Sequence, residues 1–238
     1  MNGVTLEQLM IIDIETVPQY KNFHGMSDTF QELWRNKHVS LKIEDDTPEQ
    51  SYENRAGIYA EFGKIICISA GYFSKSLEHG LRFRLKSFHG HNEKELLEQF
   101  CESVNKKKDV VFAGHNIKEF DIPYLCRRMM IQRVPLPAAL DFSGRKPWEV
   151  PSLDTLHLWR FGDYKSYTSL KLLAAVMNIP SPKEDIDGKD VARVYWHEND
   201  LQRIVRYCQR DVVTVARLML LFMKESLPLN DTDVEIVG

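Results

Sequence analysis

The chain has 238 residues, 43% hydrophobic and 27% charged, with a formal net charge of −3. This suits one soluble globular domain with a sizeable core, and no run approaches the roughly 18 apolar residues of a membrane-spanning helix. The N-terminus shows neither a secretory signal nor a transit peptide, so a cytoplasmic, membrane-free protein is expected; the charge neither requires nor excludes a nucleic-acid partner.

In chain order, residues 9–16 (LMIIDIET) read as a strand whose early half is apolar on both sides, as in a central strand covered on both faces, and it ends in carboxylates. Residues 19–62 read as an insertion carrying two short helices. Ser27 or Asp28 caps the first; Thr47-Pro48-Glu49-Gln50 opens the second, with Thr as N-cap and Pro at the first helical position. Residues 64–73 and 81–88 predict a hairpin turning around Glu78-His79-Gly80. Asn92 is placed to cap a helix to about 105, with Leu96, Leu97, Phe100 and Val104 on its apolar face. A short buried strand at 109–113, a turn at 114–116 and a helix at 120–130 follow. Prolines 135, 137, 147 and 151 predict an irregular loop over 133–151. Beyond it come a strand at 153–159, helices at 169–177 and 187–196, a long helix from about 200 to 224, and a frayed tail after 228. The sum is one α/β domain over 1–238, a mixed sheet flanked by helices. Cys67, Cys101, Cys126 and Cys208 show no CxxC spacing, which predicts buried free thiols in place of a zinc knuckle or redox pair.

Three short segments carry the chemistry. Asp13 and Glu15 stand two apart on a strand, so both carboxylates project from one face at the end of a buried element, where unpaired like charges are costly. In the segment 114–121 (GHNIKEFD), Asp121 falls at a helix start, where a capping or dipole role suffices, and His115 holds the place of a turn residue. Tyr207 and Asp211, four apart, share one face of the long helix beside an apolar stripe that includes Ile204, Cys208, Val212 and Val215. Each segment alone is equally accounted for by ordinary structure.

Together they resemble the Exo I, Exo II and Exo III motifs of the DEDD (DnaQ-like) exonuclease superfamily. Asp13-Ile14-Glu15-Thr16 is similar to the D-x-E of the first motif, and residues 116–125 (NIKEFDIPYL) resemble the second motif of family B DNA polymerases. Residues 207–211 (YCQRD) match the Y-x-x-x-D form of the third. Arg206 occupies the position that holds histidine in the rival branch, which identifies the tyrosine subtype (DEDDy). The likeness runs thinly from residue 9 to about 224, through Ser152-Leu153-Asp154-Thr155-Leu156, with no counterpart for 19–62. No polymerase domain follows, so a stand-alone relative of a proofreading domain is implied, with an RNase H-like α/β fold and metal-dependent 3′-to-5′ exonuclease activity.

The resemblance further implies two divalent ions, Mg2+ or Mn2+, held by Asp13, Glu15, Asp121 and Asp211. Asp13 is shared, Glu15 and Asp211 serve the ion that activates water, and Asp121 serves the second. Two such ions about 3.5–4 Å apart activate the nucleophile, stabilise phosphoryl charge and assist the departing oxygen, and hard oxygen ligands favour these metals. Tyr207, a phenol with a usual pKa near 10, suits orienting water better than deprotonating it. Thr16, Asn116 and Phe120 are the implied substrate contacts, at the terminal nucleotide, the phosphate or sugar, and the terminal bases; cap, turn and core roles account for them equally. Arg145, Lys146 and Trp148 join charge to an aromatic as a single-strand channel does, and as a solvated loop does. The expected partner is nucleic acid, single-stranded DNA 3′ ends foremost. The same chemistry on RNA or short oligonucleotides, and a non-catalytic nucleic-acid-binding module, are the alternatives.

Overall fold

The computed structural model describes residues 3–76, 80–180, 186–225 and 228–237. Its first strand, β1 (Leu9–Pro18), is the axis of the molecule. Met10, Ile12 and Ile14 pack into one core, whereas Leu9 and Ile11 pack into another on the opposite face, as a continuous apolar run should when both faces are covered. Two helices follow, α1 (Asp28–Ser40) and α2 (Pro48–Arg55). Thr47 and Gln50 form the expected capping box, whereas Ser27 holds the N-cap position of α1 without a side-chain bond. These helices enclose a small aromatic core of their own, in which Trp34 is fully buried among Phe23, Tyr52 and Phe62.

Strands β2 (Gly63–Ser76) and β3 (Gly80–His89) lie antiparallel beside β1. Then come α3 (Glu93–Asn105), β4 (Val111–Gly114), α4 (Asp121–Gln132), β5 (Leu153–Asp154), α5 (Thr155–Arg160) and α6 (Leu170–Val176), followed by α7 (Val191–Arg193), α8 (Leu201–Phe222) and β6 (Val234–Val237). The six strands form one mixed sheet in the order β5-β4-β1-β2-β3-β6, with parallel pairing at β1–β4, β4–β5 and β3–β6. Helix α3 contributes Leu96, Leu97 and Phe100 to the core on one face, and α8 contributes Val212, Val215 and Met219 to the other. The chain is thus a mixed α/β sheet with flanking helices. Among the described residues no helix is long and apolar enough to cross a membrane.

Four expectations need correcting or bounding. Residues 153–159 are not a strand: only Leu153 and Asp154 pair, because the Asp154 carboxylate accepts from Leu156 N at 2.9 Å and starts α5. The helix expected at 187–196 begins as a 3-10 turn (Gly188–Asp190), continues as α7 and widens into a π-helix (Val194–Glu198) that closes on Asn199 in the left-handed region. The tail after 228 is not frayed. Leu229 is buried, Arg217 donates to its carbonyl at 3.1 Å, and β6 pairs with β3. Of the expected hairpin turn, Glu78 and His79 lie outside the described residues.

Candidate active site

Strand β4 runs parallel to the first part of β1 and stops at Gly114 while β1 continues to Pro18, and a crevice opens beyond the carboxyl end of β4, where ligands bind in many open α/β sheets. β4 pairs with β1 only as far as Ile11, so the backbone of β1 beyond that point has no neighbouring strand on this side. Asp121, at the start of α4, takes the vacated place: its Oδ1 accepts from Ile14 N at 3.1 Å. A register shift between Glu15 and Thr16 bends β1 beside this site. Helix α8 crosses behind, capped by Asp200, whose Oδ1 accepts from Arg203 N at 3.0 Å. It is tied to β1 by the Cys208 thiol, which donates to the Asp13 carbonyl at 3.4 Å.

These elements enclose a cavity of about 370 Å3 whose walls include Asp13, Glu15, Asp121, Tyr207 and Asp211. All five residues singled out for chemistry therefore meet in one place. Asn116 and Phe120 also line it; Thr16 does not, and its hydroxyl lies instead beside the Tyr124 phenol. Phe120 has one edge on the cavity and its ring packed on Tyr124, with centroids 5.4 Å apart. Arg145, Lys146 and Trp148 are absent from the cavity wall; the Lys146 ammonium lies over the ring of Trp148, a residue 76% exposed.

The loop between β4 and α4 is held from below. Asp154 accepts from Asn116 N at 2.9 Å and Lys118 N at 3.1 Å, and His115 bonds Thr155 Oγ1 and the Thr168 carbonyl, each at 2.9 Å. Burial lowers the His115 pKa, so this ring is a neutral anchor. Gly114 is required where the loop starts, since a Cβ there would stand 2.9 Å from Ile117 and 3.0 Å from the Ile12 carbonyl. The sequence reading missed Tyr167, Lys171 and Asp187, which complete the wall; Lys171 and Asp187 face each other at 4.0 Å. The aromatic and basic run from 161 to 167 (FGDYKSY) was the available signal, and Phe161 and Tyr164 stand 91% and 74% exposed beside it.

Electrostatically the site is unbalanced. Burial, then the charges of Asp211 and Asp121, raise the Asp13 pKa well above the usual carboxylate range. Glu15 is raised by burial, then by Asp13 and Asp211. Burial pushes Asp121 up to about 7 despite the Ile14 N–H. Asp13 Oδ2 and Asn116 Oδ1 are buried acceptors with no hydrogen-bond partner among the described residues. Donor atoms of Asp13, Glu15 and Cys208 lie within 4.8 Å of one another, but burial also raises the Cys208 thiol, which keeps it protonated and bound to the Asp13 carbonyl. What remains is a set of hard carboxylate oxygens around an orphaned acceptor, which fits magnesium or manganese in preference to a thiophilic ion.

The chain is similar in part to two larger proteins. A DNA polymerase of Pyrococcus glycovorans is 23% identical over 160 residues, 62% of this chain and 20% of the polymerase. The family B DNA polymerase of the hyperthermophilic archaeon Pyrobaculum calidifontis aligns in structure with 90% of this chain and 24% of its own, at 18% identity and a TM-score of 0.49. The chain thus spans a quarter or less of either polymerase. Residues 58–235, which hold Asp121, Tyr207 and Asp211 and begin after Asp13 and Glu15, match a family defined by its likeness to one polymerase domain. On that match the chain belongs to the family of predicted 3′-5′ exonucleases related to the exonuclease domain of PolB.

Proposed function

We propose that this chain, a DEDDy exonuclease with an RNase H-like fold, removes nucleotides from the 3′ ends of single-stranded DNA with two divalent ions, Mg2+ or Mn2+. The observation that carries the proposal is the meeting of Asp13, Glu15, Asp121, Tyr207 and Asp211 in one cavity from segments up to almost 200 residues apart. DNA as substrate rests on the DNA polymerase relative and on the second-motif resemblance.

The carboxylates of Asp13, Glu15, Asp121 and Asp211 would hold the ions. Bound divalent ions supply an activated water and neutralise charge that develops on the phosphoryl group. The Tyr207 phenol orients the water by a hydrogen bond. Asn116 turns its free Oδ1 toward a sugar hydroxyl, and Phe120 presents a ring edge to the terminal base. Asp154 and the neutral His115 keep the loop that carries these two residues from shifting.

Incubation with 5′-labelled single-stranded DNA and magnesium tests the proposal. A ladder that shortens from the 3′ end is expected, and none with a chelator. Internal cuts, or release of the 5′ label as a mononucleotide, would overturn it. An RNA of equal length in the same assay decides between the two nucleic acids, and calorimetric titration with manganese separates the enzyme from a binding module that holds no ions.

A further inference from the structure

Paired residues on adjacent strands share a face, and the register places Ala70 and Lys86 together, and Tyr72 and Arg84 together, on the face that packs against α3, away from the acid cluster. There they wall a cavity of about 520 Å3, closed on one side by the end of α3 and on another by Val237 of β6. Its floor is apolar, made by Met10, Ala70 and Phe88. Its rim is cationic, made by Arg84, Lys86, Lys106 and Lys107, and among the described residues no carboxylate side chain lines it.

The four cations are not equivalent. Arg84 is engaged by Glu235 at 3.1 Å and by the Tyr72 hydroxyl at 3.2 Å. None of the three lysines is within ion-pair distance of a carboxylate among the described residues. Lys107 is half-buried with its Nζ 4.5 Å from the Tyr72 ring centroid, and Lys86 lies 5.4 Å from that of Phe88. Burial lowers the Lys107 pKa even against the opposing charge of Glu7, a cost that an anion in the cavity would reduce. A concave apolar floor with a few convergent charged groups, at a volume within the roughly 300–1,000 Å3 of small-ligand sites, suits a compact molecule with one flat apolar part and one anionic part better than an extended chain.

We propose that this cavity binds a nucleoside monophosphate, with its base on the floor of Met10, Ala70 and Phe88 and its phosphate among Lys86, Lys106 and Lys107. The site is separate from the acid cluster and does not depend on the exonuclease reading.

Calorimetric titration of the full chain with adenosine 5′-monophosphate, in chelator so that the acid cluster holds no ions, tests this. One molecule is expected to bind per chain, with inorganic phosphate at least about tenfold weaker because it lacks the base. Lys86→Ala/Lys107→Ala should weaken the nucleotide about 10- to 100-fold, the range for lost hydrogen bonds to a charged group. Lys106→Glu, at an exposed position where folding is not at issue, should weaken it about as much. Asp13→Ala should leave nucleotide binding unchanged, and the lysine variants should leave DNA cleavage unchanged. Absence of binding at millimolar nucleotide, binding indifferent to all three lysines, or binding lost in Asp13→Ala would each overturn the proposal. Phosphate binding as tightly as the nucleotide would overturn the role of the floor.

Discussion

Two groups of buried carboxylates in this molecule, Glu93 and the acids lining the candidate active site, are treated in opposite ways. Glu93, at the start of α3, is 6% exposed and fully compensated: Arg128 Nε donates to it at 2.9 Å, the Gln132 amide at 2.7 Å and Ile65 N at 2.7 Å. Arg128 in turn spends its third contact on the Ala60 carbonyl at 2.8 Å. In β1 and at the start of α4, by contrast, burial raises the pKa of Asp13, Glu15 and Asp121, the charge of Asp211 raises each further, and among the described residues an oxygen of Asp13 has no partner. The chain therefore has the means to neutralise a buried acid where the acid is structural. Where it leaves several together uncompensated, stability is given up at the site proposed to take divalent ions.

The contrast breaks first at Asp13. Asp13→Ala should reduce DNA cleavage by about 1,000-fold or more if Asp13 is the proposed central metal ligand, while the metal-free protein should melt no lower than wild type. Near-normal cleavage by this variant would end the metal assignment. Arg128→Ala does the opposite: it leaves Glu93 buried and unpaired, at a cost of about 3–5 kcal/mol read by urea unfolding. A loss under about 1 kcal/mol would show that the pair is not what holds α3 to α4.

Tyr207→Phe sharpens the comparison, since it keeps the ring and all four acids. Single-turnover cleavage should slow by roughly 10- to 1,000-fold with melting temperature and manganese affinity unchanged; an unchanged rate would remove Tyr207 from the chemistry. The smallest effect concerns pH. Asp121 has a folded pKa of about 7 against an ordinary value of 3.8, so between those values the native chain holds a proton that the unfolded chain has released. Stability of the metal-free protein should fall as pH rises across that window, by a few degrees in melting temperature, and then level off. Manganese added at pH 8 should restore it. A melting temperature that climbs from pH 4 to 7 without metal would contradict the raised pKa.

Much of the fold was legible because its causes are local. The two-sided apolar run of β1, the Thr47 and Asn92 caps and the stripe on α8 each depend on residues within a turn or two of one another. Residues 153–159 misled because alternating apolar residues suit a short strand as well as a helix, and what separates them is the Asp154 carboxylate turning to the Leu156 N–H. The π-helix at Val194–Glu198 was illegible, since the apolar pattern of 187–196 does not distinguish helix types.

By itself the sequence determined which side chains were available for chemistry and, through strand and helix periodicity, that Asp13 and Glu15 share one side of a strand and Tyr207 and Asp211 one side of a helix. Only the tertiary structure decided that these faces meet, that Asp121 reaches Ile14 across 107 positions, and that Thr16 turns away while Tyr167, Lys171 and Asp187 turn in. It also decided the fate of the tail, whose strand β6 pairs with β3 about 150 residues earlier in the chain. The reason is physical: backbone preference and side-chain period act over a few residues, whereas convergence is set by which apolar faces can be buried together, and that is a property of the whole packed chain.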